Sequence, residues 1–433
     1  LTVSGLISVA GNSAVSIPAA GTTLTYSGGN LNVGSHTLSI GGAGTFSNAT
    51  GSPLVLDVAD SILSLTGNGT ISGPMKLESG TLKASSGTPT ISGTLTQYDN
   101  ATIDVATNQT LNYSGPSLSL GANKLTLTGG GTFNNTNALV LNNADSLLSL
   151  AGILTIRDVD GTAASNSGKG IQVTSSATLG DYDLSVVSYL DIAASQTLAG
   201  QLNLQTNGEL KTSGDGQYIG DIALAGGKFS ATDDQVLAGT LSITSDSEIT
   251  VSDNSTLTLS QSGGLALGAN TLTLSGGGTL SITNDLKLDN AASKLLLNSI
   301  TVNSVNTASD SLGLKIDNNS TVTTLAISKI TPVSIASGSS LSGVIAVTAG
   351  SLQLTDNGTL ASNITMSGGI LDADNSLTIS GTVTQAGNAT IDVLADKTLT
   401  FSTGEISTES YQLTIEGAGT VAFPDNASGI VVN

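Results

Sequence analysis

Residues 92–133 read SGTLTQYDNATIDVATNQTLNYSGPSLSLGANKLTLTGGGTF, and a closely similar stretch returns at 380–421 as SGTVTQAGNATIDVLADKTLTFSTGEISTESYQLTIEGAGTV. The two stretches align without a gap at an offset of 380 − 92 = 288, and about half of their positions are identical. Self-similarity at a fixed offset is the sequence signature of repeat architectures. The sequence therefore indicates a repeat protein.

Two further copies of this stretch extend the repetition. A third copy begins at Gly239, and a fourth, more degraded copy runs from Gly5 to Phe46. The copies start near residues 5, 93, 239 and 381, at spacings of 93 − 5 = 88, 239 − 93 = 146 and 381 − 239 = 142. These spacings are too long for one structural repeat, and the copies are too similar for unrelated domains. We interpret residues 1–433 as a single continuous solenoid built from duplicated multi-coil blocks.

Short alternating segments within each copy predict the strands. Thr or Ser alternates with Leu, Ile or Val, and Gly, Asn or Asp follows, as in LTLTGGG at 125–131 and LTLSGGG at 272–278. Alternation gives a strand with one buried side, and the Gly and Asn clusters supply the tight corners. Three such strands fill a coil of about 20 residues. The predicted fold is an all-β, right-handed parallel β-helix of roughly 20 coils with three short strands each, right-handed because crossovers between parallel strands prefer that hand.

Composition fits a thin, elongated core. Aromatic residues make up 3% of the chain, and there is no Trp and no Cys. Large globular cores normally use aromatic rings to fill their volume, so a narrow aliphatic core is expected. The absence of Cys excludes a disulfide framework and a thiolate metal site.

The charge balance limits the classes of partner. The chain has 32 acidic and 12 basic residues and a net charge of −20, and its only arginine is Arg157. Nucleic-acid binding needs clusters of Lys and Arg, so it is excluded, and an anionic membrane surface is disfavoured for the same reason. No stretch reaches the roughly 18 apolar residues that span a bilayer. The sequence opens directly in the strand pattern LTVSGLISV, so an export signal and any anchor are expected to lie outside it.

The segments LGANTLTLSGGGTL at 267–280 and SGTLTQYDNATIDV at 92–105 resemble the passenger regions of bacterial autotransporters and filamentous-haemagglutinin-like adhesins. The resemblance covers nearly the whole chain, although its motifs are compositional. It implies a secreted parallel β-helix at the bacterial cell surface that acts as an adhesin, a surface fibre or a biofilm component.

A carbohydrate-active enzyme on the same scaffold is the alternative from another functional class. Such an enzyme needs closely placed carboxylates. Asp104 and Asp392 recur within TIDV, but the third copy has Thr250 there, which indicates solvent-facing positions on repeated strands. His36 is the only histidine, cannot by itself form a multi-histidine metal site, and is expected on the surface of a strand. We therefore expect no enzyme activity and assign no catalytic, cofactor-binding or metal-binding residue.

Three polar features leave alternatives open. The turns LNNADS at 141–146, LDNAAS at 288–293 and ATDDQ at 231–235 offer oxygen ligands for structural calcium, but left-handed corners are the simpler interpretation. Thr271 and Thr273 resemble one rung of an ice-binding threonine ladder, but other residues interrupt that pattern in successive coils. Glycosylation sequons occur at Asn48, Asn68, Asn100, Asn254, Asn357, Asn363 and Asn388.

Two functional hypotheses follow from this fold. In the first, the ends of the solenoid expose unpaired strand edges, which either belong to a longer chain or stack head-to-tail on another copy; stacking propagates as an extracellular filament. In the second, a monomeric adhesin passenger binds glycans or cells through side loops, which the less regular stretches at 157–170 and 303–313 predict. The expected partners are another copy of the chain and cell-surface glycans, with no nucleic acid and no cofactor.

Overall fold

The computed structural model describes residues 1–153, 155–403, 405–408, 410–424 and 429–431, which form 54 β-strands and no helix. The strands pair in parallel, and strands in neighbouring turns are about 21 residues apart in sequence. This spacing makes a β-solenoid of about 20 turns, which confirms the predicted fold class.

The chain forms two compact units, Leu1–Asp221 and Ile222–Asn433. A turn has up to three strands, which we name face 1, face 2 and face 3 in chain order. In several turns of each unit, one long strand forms both face 2 and face 3. Whether the whole chain behaves as one continuous solenoid stays a prediction.

The first unit has ten turns. Its face 1 strands are Ser13–Ile17, Thr37–Gly42, Ile62–Gly67, Thr81–Ser86, Ala101–Val105, Lys124–Thr128, Leu147–Leu150, Gly170–Val173, Val187–Ile192 and Glu209–Ser213. Its face 2 strands are Thr2–Val3, Thr23–Tyr26, Thr45–Asn48, Thr70–Ile71, Thr90–Ile91, Thr110–Tyr113, Thr132–Asn135 and Gln217–Tyr218. Its face 3 strands are Leu31–Asn32, Leu54–Leu56, Met75–Leu77, Leu95–Gln97, Leu118–Ser119 and Leu139–Leu141. Its long strands are Thr155–Gly161, Ala177–Leu184 and Thr197–Gln205.

The second unit also has ten turns. Its face 1 strands are Lys228–Ala231, Ser247–Val251, Thr271–Gly276, Lys294–Asn298, Gly313–Ile316, Ile330–Ile335, Ser351–Leu354, Ile370–Ala373, Ala389–Val393 and Leu413–Gly417. Its face 2 strands are Gln235–Leu237, Thr256–Leu259, Thr279–Ile282, Leu377–Ile379, Thr398–Phe401 and Thr420–Ala422. Its face 3 strands are Asp221–Ala225, Leu241–Ser245, Leu265–Ala266, Leu286–Leu288, Val383–Gln385, Glu405–Ser407 and Gly429–Val431. Its long strands are Thr301–Thr307, Ser320–Ile327, Ser340–Val347 and Thr359–Met366.

Inward-facing side chains of successive turns stack into rows. Leu82 pairs with Ile103 and Ile103 with Leu127, and all three are fully buried. Burying one such side chain contributes about 1.5–3 kcal/mol, and a row is complete only where further turns cover it. The alternation of Thr or Ser with Leu or Ile therefore gives one continuous aliphatic core in each unit.

The few aromatic rings lie mostly inside this core, which the low aromatic content did not predict. Tyr113 and Phe133 lie in adjacent turns and stack with ring centroids 6.3 Å apart. The Tyr113 hydroxyl donates to the carbonyl of Pro116 at 2.5 Å, so the ring also fixes a corner. The rings among the largest fully buried side chains are those of Tyr26, Tyr113, Tyr182, Tyr218, Phe46, Phe133, Phe229 and Phe401.

The side loops predicted at 157–170 and 303–313 are partly wrong, because long strands occupy the first part of each range. Thr155–Gly161 pairs with face 2 of the preceding turn through Ile156 and with face 3 through Val159. It bypasses the corner at residues 136–138, so two faces become one strand. Thr301–Thr307 does the same in the second unit. Only residues 162–169 and 308–312 remain outside strands.

The duplicated stretches mark a repeating block of seven turns. Ala101–Val105, Ser247–Val251 and Ala389–Val393 are equivalent face 1 strands of three copies, and each is the seventh face 1 strand after the one before it. In both complete blocks, long strands follow the third face 1 strand. The spacings of 146 and 142 between the last three copies are therefore one seven-turn block each, whereas the spacing of 88 before them covers four turns.

Candidate functional site

Four aspartates form an outward-facing ladder on two long strands of the first unit. Asp158 pairs in register with Asp181, and Asp160 pairs with Asp183. Val159 and Tyr182, which alternate with them, point inward and are buried. We call Asp158, Asp160, Asp181 and Asp183 the acidic ladder. Parallel pairing places its members one strand spacing apart, about 4.8 Å between backbones, a position in which like charges repel.

Amide side chains of the next long strand, Thr197–Gln205, support the acidic ladder. The Nδ2 of Asn203 donates to Oδ1 of Asp181 at 2.8 Å and to Oδ1 of Asp183 at 2.7 Å. The Nε2 of Gln201 donates to Oδ1 of Asn203 at 3.0 Å. These bonds hold two carboxylates together but do not neutralise them.

Burial and mutual repulsion raise the pKa of three of these carboxyl groups. For Asp160, the largest cause of the raised pKa is desolvation, followed by the charges of Asp158, Asp183 and Asp181. Desolvation and Asp183 also raise the pKa of Asp181 and of Asp158, while the guanidinium of Arg157 lowers the pKa of Asp158 in part. At neutral pH the charges on these carboxyl groups therefore disfavour the folded state.

At the equivalent positions the second unit has neutral side chains, of which Ser304 and Asn306 donate to the carboxylate of Asp285. Ser304 pairs with Thr324 and Asn306 with Ala326 on the equivalent long strands Thr301–Thr307 and Ser320–Ile327. The same turns therefore form without the four carboxylates. The acidic ladder is a property of one copy and is not required by the fold.

The acidic ladder is missing from the expectations drawn from sequence. Its signal is the pair of short motifs DVD at 158–160 and DYD at 181–183, which lie one turn apart. Within the described ranges, no group of three or more His, Cys, Asp or Glu side chains is placed to hold a metal ion. Among the described residues, the acidic ladder is a negatively charged surface whose carboxyl groups do not converge on a common metal position.

Asp160→Asn should stabilise the first unit at pH 7. A carboxyl whose pKa is raised on folding contributes stability below its ordinary pKa of 3.8, and that stability is lost as pH rises through the raised value. The unmodified protein should therefore become less stable as pH rises above about 4, and the variant should lose less. Urea unfolding at pH 4 and pH 7 measures this, with Asp215→Asn at an exposed corner as control. Equal pH dependence in both variants would contradict the expectation.

The residues that sequence singled out lie on separate outward positions. Asp104 accepts a bond from Nζ of Lys83 at 2.5 Å in the adjacent turn. Thr250 shares hydrogen bonds with Glu248 and Ser275. These contacts match solvent-facing positions on repeated strands.

Asp392 lies between two other acidic side chains on face 1, and His36 lies in a turn. Asp392 pairs in register with Asp372 and with Glu416 on face 1 of the second unit. His36 is half-buried in the turn before Thr37–Gly42, one residue before the strand that was expected to contain it. Its carbonyl accepts the backbone N–H of Ile62 at 3.0 Å.

Two of the turns considered for calcium, at 141–146 and 288–293, form hydrogen bonds through their oxygen atoms that join a corner to the preceding turn. Residues 57–61 form the same bonds. In each, an Asp or Asn oxygen accepts the N–H of a glycine one turn earlier, and a Ser hydroxyl donates to the carbonyl of that glycine. We call this arrangement the corner clamp. The glycine, acceptor and serine are Gly34, Asp57 and Ser61, then Gly121, Asn142 and Ser146, then Gly268, Asp289 and Ser293. The distances are 2.5–2.9 Å, so these turns have a structural role.

Similar bonding occupies the third turn considered for calcium and one sequon. Oδ1 of Asp234 accepts the N–H of Thr256 at 2.7 Å. Asn48 is buried and donates to the carbonyls of Ser52 and Pro74, so it is not an accessible glycosylation acceptor. The other sequons named above have exposed asparagines, namely Asn68, Asn100, Asn254, Asn357, Asn363 and Asn388.

Comparison with known protein families, with curated proteins and with solved structures gives no match to this chain. No helix in the described part of the chain is long and apolar enough to cross a membrane. The functional interpretation therefore depends on the geometry of the solenoid and on the sequence resemblance.

Proposed function

We propose that the chain is an extracellular structural and adhesive β-solenoid whose copies stack head-to-tail into a surface fibre. It acts without catalysis or a cofactor, and its main partner is another copy of itself. The observation that supports this proposal most directly is how turns cover one another within the chain: strands equivalent to Leu413–Gly417 of the second unit are covered by the turn that follows them.

This strand has two internal counterparts in which the same position is covered. Leu127 and Leu274 are fully buried because Leu150 and Leu297 of the following turns pair with them. The equivalent residue, Ile415, pairs on one side with Ile391 and is 44% exposed. The edge therefore has the shape and chemistry of a surface that another solenoid turn covers elsewhere in the chain.

The energetics of this edge favour association. An uncovered parallel strand presents unpaired N–H and C=O groups together with an apolar row. Covering Ile415 removes apolar area from water and contributes on the order of 1 kcal/mol, in addition to the hydrogen bonds of a full turn. In the first unit, Leu1 and Leu6 are strongly exposed, and Leu1 adjoins the strand Thr2–Val3, which pairs with Thr23–Tyr26. Contact between two different edges is heterologous, and it propagates as a filament when the rotation between copies does not close a ring.

Ile415→Lys should abolish this self-association, because a charged side chain would enter the apolar row of the junction. Sedimentation velocity over a range of protein concentrations and electron microscopy measure the result. Thr414→Lys is the matched control, because it adds the same charge to the adjacent outward-facing position of the same strand.

The unmodified chain should form species whose mass increases with concentration, and Thr414→Lys should behave in the same way. Single particles of one chain at every concentration would overturn the proposal. That outcome would favour the alternative of a monomeric adhesin that binds glycans or cells.

A further inference from the structure

An exposed tyrosine of the first unit lies beside a paired lysine and glutamate. Tyr98 follows the face 3 strand Leu95–Gln97, and 57% of it is exposed. The Nζ of Lys76, one turn earlier, lies 5.3 Å from the centre of the Tyr98 ring and 3.9 Å from Oε1 of Glu78. An ammonium ion at this distance is attracted to the ring face as well as to the carboxylate. The three side chains therefore form one surface group without net charge.

The same three residue types meet again on face 1 of the first unit. Tyr189 pairs in register with Lys211, whose Nζ lies 5.5 Å from the centre of the ring. Glu209 lies two residues before Lys211 on the same strand, so both side chains point outward. The distance from Nζ of Lys211 to Oε2 of Glu209 is 3.8 Å. We call the sets Tyr98, Lys76, Glu78 and Tyr189, Lys211, Glu209 the tyrosine groups.

The second unit forms the same turns without either tyrosine group. The strand registers give the equivalent positions as Thr365, Ser367 and Ala386 for the first group and Pro332, Ser351 and Gln353 for the second. No tyrosine, lysine or glutamate is kept at any of these six positions. The fold of the turns therefore does not require the tyrosine groups, and each group is present or absent as a whole.

We propose that the tyrosine groups bind neutral polysaccharide. One face of a pyranose ring carries C–H groups, which pack against the electron-rich face of an aromatic ring. Hydroxyl groups at the rim of the sugar accept hydrogen bonds from an ammonium and donate to a carboxylate. Lys76 can cover only one face of the Tyr98 ring, so ring surface remains open to a ligand. The tyrosine groups serve the adhesive part of the proposed function, on which this assignment rests, and they do not need head-to-tail stacking.

Charge distinguishes between the classes of glycan. The chain has a net charge of −20, which repels anionic glycans such as polymers of uronic acids. Both lysines already lie next to a glutamate, so neither group presents an unbalanced positive charge to an anionic ligand. A neutral sugar meets no such repulsion. Polymers of neutral hexoses or N-acetylhexosamines are therefore the ligands that fit this surface best.

Depletion of the full 433-residue chain from solution by insoluble cellulose and by insoluble chitin tests the assignment. Tyr98→Ala/Tyr189→Ala should weaken binding about 4- to 100-fold, the product of about 2- to 10-fold for each lost ring contact. Tyr98→Phe/Tyr189→Phe keeps both ring faces and should bind within about twofold of the unmodified chain. Circular dichroism of each variant shows that the solenoid remains folded.

The second unit provides a matched gain of binding. Thr365→Lys/Ser367→Glu/Ala386→Tyr adds a third tyrosine group at equivalent positions and should strengthen binding. The control Thr365→Lys/Ser367→Glu adds the same charges without the ring and should bind as the unmodified chain does. Repeating each measurement in the Ile415→Lys background prevents filaments from being counted as bound protein. Loss of polysaccharide binding and loss of stacking are thereby observed separately.

Three results would overturn the assignment. The first is an unmodified chain that stays in solution with both cellulose and chitin. The second is full binding by Tyr98→Ala/Tyr189→Ala, or a loss in the phenylalanine variant as large as in the alanine variant. The third is binding to alginate, an anionic polymer, in place of cellulose and chitin, because the surface would then recognise acidic glycans.

Discussion

Phe133→Ala should lower the local free energy of unfolding around its turn by about 3–5 kcal/mol, the range for removing a buried aromatic side chain. Phe133 is fully buried and stacks on Tyr113 of the preceding turn. In a core this narrow, few other side chains can move into the space that the ring leaves. The loss should be visible as faster amide exchange in Thr110–Tyr113 and Thr132–Asn135.

Tyr98→Ala provides the control for this experiment. It also removes an aromatic ring from the first unit, but Tyr98 is 57% exposed. Exposed substitutions usually change stability by less than about 0.5 kcal/mol. If both variants accelerated amide exchange equally, the buried ring stack would not be a source of stability.

Asn135→Leu should destabilise the same region by about 3 kcal/mol or more, because each buried group left without a partner costs about 1–3 kcal/mol. Asn135 is fully buried at the end of a face 2 strand. Its Nδ2 donates to the carbonyls of Asn137 and Asp158, and its Oδ1 accepts the N–H of Arg157 at 3.0 Å. The leucine would fill the space and leave these backbone groups unbonded.

The adjacent Asn134→Ala is the matched control. Asn134 is half-buried on the outward side of the strand, and its Nδ2 bonds only to Oδ1 of Asn112 at 2.8 Å. Its loss should cost about 0.5–1.5 kcal/mol, the net value of a typical hydrogen bond. Equal stabilities in urea unfolding of the two variants would show that the buried asparagine does not hold the corner.

The fold was predictable from sequence because its determinants are local and repeated. Alternation within LTLTGGG specifies the inward Leu125 and Leu127, and glycines after it specify the corner. The constant offset between the copies at 92–133 and 380–421 could be found without knowledge of the fold. The alternation also states which side of each strand is buried.

Other features depend on which turns lie next to each other. The alternation of apolar and polar residues within a strand does not give that information. The acidic ladder needs Asp158 and Asp181 to stack, which requires the corner before Val159 to be lost. The outward row of Thr23, Thr45, Thr70 and Thr90 needs identical registers in four successive turns whose lengths differ. Ile40 pairs with Leu65 and Leu65 pairs with Ala84, so one turn is several residues longer than the next.

Buried amides show the same limit. Asn48 and Asn135 look alike in sequence to the exposed asparagines of turns, because Asn is favoured at corners for several reasons. Only the position of the strand end and of the next turn shows that their side chains point inward and bond to carbonyls. Sequence therefore predicted a glycosylation acceptor at Asn48 where the structure has a hydrogen-bonded core residue.

The corner clamps have a consequence for the speed of folding. Each clamp joins residues of adjacent turns only, as Asp57 joins Gly34 at a separation of 57 − 34 = 23. With contacts near 21 residues in a chain of 433, the relative contact order is about 21/433, or about 0.05, below the values of typical all-β domains, about 0.16–0.22. A newly formed turn therefore needs only its predecessor as a template. Such a chain can fold progressively, one turn at a time, as it emerges from a ribosome or a membrane pore.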